Sequence, residues 1–185
     1  MHRILEYSPK TEKEKKDKEL IVSLLQDYPE EIVCRSLLFA HLSASAMIFN
    51  PKRDKVLMIY HNIYQNWTMT GGHMDGESDL LEVALKEAKE ETGVETLELI
   101  TEDILSIEVL PVNGHYKNGE YIAAHLHLNA TFGFETSEEE VLRICEGENS
   151  GVAWLSVTAL EQYSNEEMML EVFQKCIERV QKEHL

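Results

Sequence analysis

The chain has 185 residues, 43% of them apolar, and a formal net charge of −17 at neutral pH. This length fits one domain with room for a helical extension, and the apolar fraction suffices for a real core. The charge argues against non-specific nucleic-acid binding, which needs a basic surface, but not against a small anionic ligand held through a metal.

Residues 10–19 are dense in Lys and Glu, and Leu20, Ile21, Leu24 and Leu25 then recur at helical spacing. This predicts a helix with a frayed, solvated start. Pro29 at a first helical position predicts a second short helix carrying Ile32, Val33 and Leu37. A lid, a dimer arm and simple packing are all open to this front segment, and packing is the reading preferred. Leu42 to Phe49 reads as a strand, residues 50–54 as a turn, and Val56 to Tyr60 as its partner. A loop holding Tyr64, Asn66 and Trp67 leads to Thr70-Gly71-Gly72-His73. Ser78 or Asp79 caps the next helix, Asp79 and Glu82 having capping-box spacing. Leu81, Ala84, Leu85 and Ala88 form its buried stripe, and Gly93 ends it in the left-handed position.

Strands are expected at about Leu97–Leu110, with an interruption, and at Tyr121–Phe134, with turns at Asn113-Gly114 and Asn118-Gly119. Val152 to Val157 is a short strand. Glu166 to Lys182 closes the chain as a helix, with Val172, Phe173, Cys176, Ile177 and Val180 on one face. Strands, helix, strands, helix indicate an α/β architecture. Cys34, Cys145 and Cys176 are odd in number and widely spaced, and read as reduced thiols. No apolar run approaches the roughly 18 residues of a spanning helix, and no signal pattern opens the chain, so a cytoplasmic enzyme away from membranes is expected.

The most informative stretch is Lys86-Glu87-Ala88-Lys89-Glu90-Glu91-Thr92-Gly93-Val94. Glu87, Glu90 and Glu91 stand at i, i+3 and i+4, on one side of a helix. Adjacent acids repel unless something positive sits among them, and carboxylate oxygens suit Mg²⁺ or Mn²⁺. A solvated helix face laced by Lys86 and Lys89 is the bland alternative.

Residues 72–94 resemble the signature of the Nudix hydrolase superfamily. Its pattern is Gly, five residues, Glu, seven residues, then Arg-Glu-apolar-x-Glu-Glu-x-Gly-apolar. Gly72, Glu87, Ala88, Glu90, Glu91, Gly93 and Val94 match at the family spacing. Two positions depart. Lys86 stands where the family has Arg, losing the guanidinium fork, and Ser78 stands at the isolated Glu, with Glu77 one residue early. The resemblance implies a mixed-sheet α/β/α sandwich over residues 40–185, with residues 1–39 as an N-terminal helical extension outside it. It also implies metal ligation by Glu87, Glu90 and Glu91 together with a carbonyl of the glycine turn. Gly71 takes that last role better than Gly72. A further acid before a Trp strand is expected, with Glu148, six residues before Trp154, as candidate ligand or base. Glu146 and the run 138–140 are rivals. Glu87 is a second candidate base, and Lys86 supports the acids.

His125 and His127 share one strand face with Asn129 and Thr131. A partly exposed sheet face, pocket lining, and zinc binding are open to them, in descending order. His73, beside the glycine turn, either contacts a substrate phosphate or faces water. Trp67, Tyr64 and Tyr116 are candidate stacking plates or plain loop anchors. The reaction expected from the resemblance is Mg²⁺-dependent hydrolysis of the diphosphate bridge in a nucleoside diphosphate-X compound. A non-catalytic nucleotide-binding module is the main alternative. A diphosphate isomerase ranks lower, because that enzyme pairs a loop cysteine with a glutamate and residues 66–72 hold no cysteine. The expected partner is a small phosphorylated molecule, and the resemblance is compatible with a homodimer.

Overall fold

A computed structural model describes residues 1–117 and 119–182. In chain order the helices are α1 (His2–Glu6), α2 (Glu12–Asp27), α3 (Leu80–Thr92) and α4 (Glu167–Lys182), with a 3₁₀ turn at Leu160–Gln162. The strands are β1 (Ala40–Phe49), β2 (Lys55–His61), β3 (Asn66–Thr68), β4 (Thr70–His73), β5 (Glu98–Leu99), β6 (Ser106–Val112), β7 (His115–Lys117), β8 (Glu120–Ile122), β9 (His125–Glu135) and β10 (Asn149–Ser156).

Strand β1 is central. It runs parallel to β9 and antiparallel to β2 and β4, so the sheet is mixed. The path β10-β2-β1-β9-β5 carries β3, β4 and β6 as side branches, and β7–β8 forms a separate hairpin. Every residue of β1 is buried, because period-two alternation sends its side chains into layers on both faces. Leu42, Ala44, Ala46 and Ile48 meet Leu80, Val83, Ala84 and Ala88 of α3 and Ile21 of α2. Met47 and Phe49 meet Val172, Phe173, Cys176, Ile177 and Val180 of α4. The result is the α/β/α sandwich, with a curled mixed sheet between helices and helical segments at the N-terminus.

The β1–β2 pair and α3 form where the pattern predicts, whereas Asn66 and Trp67, expected in a loop, lie in β3, and the strand expected at Tyr121–Phe134 is broken between β8 and β9. Asp79 is the cap, accepting from the Leu81 amide at 2.9 Å, and Gly93 adopts φ 76°. The Asn118-Gly119 turn has its first residue outside the described residues.

Two expectations for the front of the chain also fail. Residues 29–39 form turns, not a helix. Their carbonyls are committed elsewhere: that of Ile32 accepts from the Leu42 amide and that of Val33 from the Gly76 amide. This segment is therefore stitched to β1 and to the turn after β4. The start of α2 is also not frayed. Thr11 caps it by accepting from the Glu14 amide, and the Glu14 side chain is fully buried. Arg179 of α4 donates to both Glu14 oxygens at 2.8 and 2.9 Å, and Lys175 lies 3.1 Å away. The front segment thus packs against the sandwich.

Candidate functional site

The acid cluster is built by α3 against the glycine turn of β4. Register pairs Gly71 with Ser45 and Gly72 with Ala44 of β1. A Cβ at Gly72 would overlap the Glu87 carboxyl group, so glycine is what lets that carboxylate lie on the strand. One helical turn on, Glu91 is 2% exposed and accepts from the Gly71 amide at 2.9 Å. Glu90 is solvent-facing and pairs loosely with Lys86 at 3.7 Å.

Burial raises the pKa of Glu91 to about 8, the Gly71 hydrogen bond opposes the rise, and the charges of Glu87, Glu148 and Glu90 add to it. Burial likewise raises Glu87, with Glu90, Glu148 and Asp75 adding to the rise and Lys86 opposing it. Glu148 is therefore close enough for its charge to act on the cluster although it lies 57 to 61 positions further along the chain.

Two of the rival acids, Glu138 and Glu140, are engaged elsewhere. Glu138 binds Lys55 and Asn50, and Glu140 accepts from the Glu95 amide. Glu77 does not recover the isolated-Glu position: its carboxylate accepts from the Ser78 and Asp79 amides of its own turn, at 2.6 and 3.3 Å. Cys145, in contrast, comes within the field of Glu148, Glu91, Glu90 and Glu87. Its pKa is raised by burial first and then by these acids, which keeps the thiol protonated.

On the other face of the sheet, the row His41, Ser43, Ser45 on β1 runs beside His127, Asn129, Thr131 on β9. Ser43 and Ser45 both donate to Asn129 Oδ1, at 3.1 and 2.9 Å. At the end of this row His41, His73, His125 and His127 converge, their ligand nitrogens all within 4.8 Å of one another. His41 is depressed to about 4 and His127 to about 2, by burial first and then by neighbouring imidazoles and Arg35. This cluster can hold a metal ion.

Arg35 borders both clusters. It makes a two-pronged bond to Asp75, both contacts at 2.7 Å, and senses the charges of Glu87 and Glu148. Asp75 holds a left-handed φ of 45° to do so. His41, Arg35 and Asp75 were not singled out from sequence. The alternation His41, Ser43, Ser45, matching that of His125, His127, Asn129, was the available signal.

The aromatic candidates are packed against neighbours. Trp67 sits edge-on to Tyr60 at 5.6 Å and lies against Gly151, Tyr64 stacks on His61 at 4.4 Å, and Tyr116 meets Tyr121 at 5.3 Å.

A mixed α/β/α sandwich with an acid-bearing helix docked on a Gly-Gly strand defines the class. Residues 40–176 match the family model for the NUDIX domain, and the chain belongs to the Nudix hydrolase superfamily. Solved structures of the same fold include an Ap4A hydrolase from C. elegans, at 17% identity and TM-score 0.53, covering 72% of this chain and 93% of that one. A NUDIX-family hydrolase from Clostridium perfringens has 21% identity and TM-score 0.52, covering 76% and 97%. The NUDIX domain of Shewanella oneidensis NrtR has 18% identity and TM-score 0.54, covering 75% and 87%. At these identities the likeness speaks for the fold. Among curated proteins, none matches the chain. Among the described residues, no helix is long and apolar enough to cross a membrane.

Proposed function

We propose that this protein is a divalent-cation-dependent hydrolase cleaving the diphosphate linkage of a nucleoside diphosphate-X compound. The placement of Glu87 and Glu91 against Gly72 and Gly71, with Glu90 and Glu148 close enough for their charges to act on both, carries this reading. Burial first, and then their mutual field, raises Glu87 and Glu91, the behaviour of carboxylates short of a counter-charge. All donors are oxygens, which fits Mg²⁺ or Mn²⁺. Glu87, Glu90 and Glu91 would hold the ion, with Glu148 and the Gly71 carbonyl as further oxygens. When bound, the ion neutralises phosphate oxygens and promotes attack of water at phosphorus.

The chain's own groups do the rest. Glu87, half-buried with a raised pKa, is suited to take a proton from water, and Glu148 is the alternative base. The Gly71 amide holds the Glu91 carboxyl in one orientation, and Lys86 steadies Glu90. Arg35, whose Nε and Nη2 are bonded to Asp75, would offer Nη1 to the leaving phosphate. His73, one residue past the glycine turn, borders the substrate, with His125 and His127 behind it. Trp67, packed edge-on, is the weakest of the substrate candidates.

Residues 40–185 would form the catalytic unit and residues 1–39 its packing extension. Three free cysteines fit a reducing cytoplasm. A homodimer accords with the same reading.

The second reading is a nucleotide-binding module without turnover. Two observations favour it: Glu77 is tied to its own turn, and Lys86 lacks the guanidinium fork.

The test is incubation with Mg²⁺ or Mn²⁺ and a panel including ADP-ribose, nucleotide sugars, dinucleoside polyphosphates and nucleoside triphosphates, with products resolved chromatographically. Cleavage by wild type, abolished in a Glu90→Gln, Glu91→Gln double variant, is expected. Nucleotide binding with no product from any compound would favour the binding module.

A further inference from the structure

We infer that His41, His73, His125 and His127 form a second metal site, selective for a zinc-class transition ion and separate from the acid cluster. Four of the eight histidines in the chain meet at one end of the sheet, delivered by β1, β4 and β9. Parallel register sets His41 beside His127, and antiparallel register sets His73 beside Ser43, two residues on.

The hydrogen bonding of the cluster does not close with protons alone. His125 Nδ1 lies 2.8 Å from the Ala123 carbonyl, which can only accept, so the proton is on Nδ1. The Nε2 of a neutral His125 is then a bare lone pair. His127 Nε2 lies 3.2 Å from that atom and 3.0 Å from His73 Nε2. If His127 Nε2 carries a proton, that one proton is shared between two acceptors or opposes an N–H of His73. If it carries none, two lone pairs face each other at His125.

His41 is the second, independent observation. It is 6% exposed, and neither ring nitrogen has a hydrogen-bond partner; the Leu37 backbone approaches too loosely to count as one. A buried histidine with two orphaned nitrogens is costly unless something binds them. One cation among the four rings takes one nitrogen from each, including one of the two left without a partner on His41.

The donor set names the ion. Four imidazole nitrogens with no carboxylate suit Zn²⁺ and its neighbours and not Mg²⁺, which prefers oxygen. A tetrahedral ion with bonds of about 2.0–2.1 Å holds its nitrogens about 3.3–3.4 Å apart, close to the 3.2 and 3.0 Å that separate His127 Nε2 from those of His125 and His73. The Ala123 carbonyl on His125 Nδ1 is the outer-shell contact that orients a ligating imidazole. The imidazole site, on the face of the sheet away from α3, pins three strands together. This inference does not depend on the hydrolase reading.

The test uses the untagged full-length chain, stripped with EDTA and held in excess Mg²⁺ to occupy carboxylates. Zn²⁺ is titrated calorimetrically, with Co²⁺ as a spectroscopic probe. One Zn²⁺ per chain, a raised Tm, and visible Co²⁺ bands displaced by Zn²⁺ are expected. His127→Gln and His73→Gln should each weaken Zn²⁺ binding by at least about tenfold. The Glu90→Gln, Glu91→Gln variant should bind Zn²⁺ as wild type does. His73 is half-exposed, so its variant serves if the His127 variant does not fold. Folded wild type that binds no Zn²⁺, or Zn²⁺ binding indifferent to the histidine changes, would overturn the proposal.

Discussion

Glu91 is a buried acid that shares its site with three other carboxylates, and this gives the metal-free protein a pH dependence of definite sign. Its pKa rises from the ordinary 4.5 to about 8, so between those values the folded state binds more protons than the unfolded one. Its contribution to stability is fully present below about 4.5 and is lost as pH rises through about 8. Glu91→Gln keeps the shape without the ionisation. In metal-free thermal melts it should match wild type near pH 5 and exceed it at pH 8 by roughly 1–3 kcal/mol. Equal melting temperatures at pH 8 would mean that the site is solvated enough to ionise freely. Gly72→Ala tests the other half of the contact. The added methyl would displace the far end of the Glu87 side chain, which can swing aside. Stability should change by less than about 1 kcal/mol, while turnover should fall by at least about tenfold, because a displaced ligand spoils a site that depends on placement. A large loss of Tm would show that β4 itself is distorted.

At the scale of elements, helix α3 was legible because its signals are local: a capping Asp79, an apolar stripe and a terminal Gly93 all lie within fifteen residues. The front of the chain was not. The Lys- and Glu-rich start of α2 reads as solvated until Arg179, 165 positions away, is seen gripping Glu14. Burial would raise Glu14, but bonds from the Lys10 amide, the Tyr7 hydroxyl and Lys175 lower it to about 2. Its contribution is therefore present above about 4.5 and is lost as pH falls towards 2. Glu14→Gln removes the carboxylate that Arg179 grips, while Lys175 keeps Glu108. It should cost about 3–5 kcal/mol, read as a drop of about 10 °C in Tm. A change of only a degree or two would show that water replaces the carboxylate. The misreading of residues 29–39 has the same kind of cause. Pro29 favours a helix start, but the carbonyls of Ile32 and Val33 are taken by β1 and by the turn after β4.

At the scale of the whole molecule, the net charge of −17 opposes any anionic substrate. Raising monovalent salt from about 0.01 to 0.15 M shortens the screening length from about 30 to about 8 Å. With Mg²⁺ in excess, kcat/KM should therefore rise over that range. A fall would mean that local cations such as Arg35 and Lys86 govern substrate approach in spite of the global charge.

Local pattern by itself determined the α/β order of elements, the caps and stripe of α3, and the family to which the chain belongs, because each depends on spacings of a few residues along one backbone. It also put Glu87, Glu90 and Glu91 on one side of a helix, a matter of 3.6-residue periodicity. Only the tertiary structure brought Glu148 to those acids, set Glu138, Glu140 and Glu77 to other tasks, and gathered His41 with His73, His125 and His127. The reason is physical: strand register and the folding of distant loops onto the sheet decide which side chains share a few ångströms. Those pairings are set by burial of the two apolar faces of the sheet, not by any spacing readable along the chain.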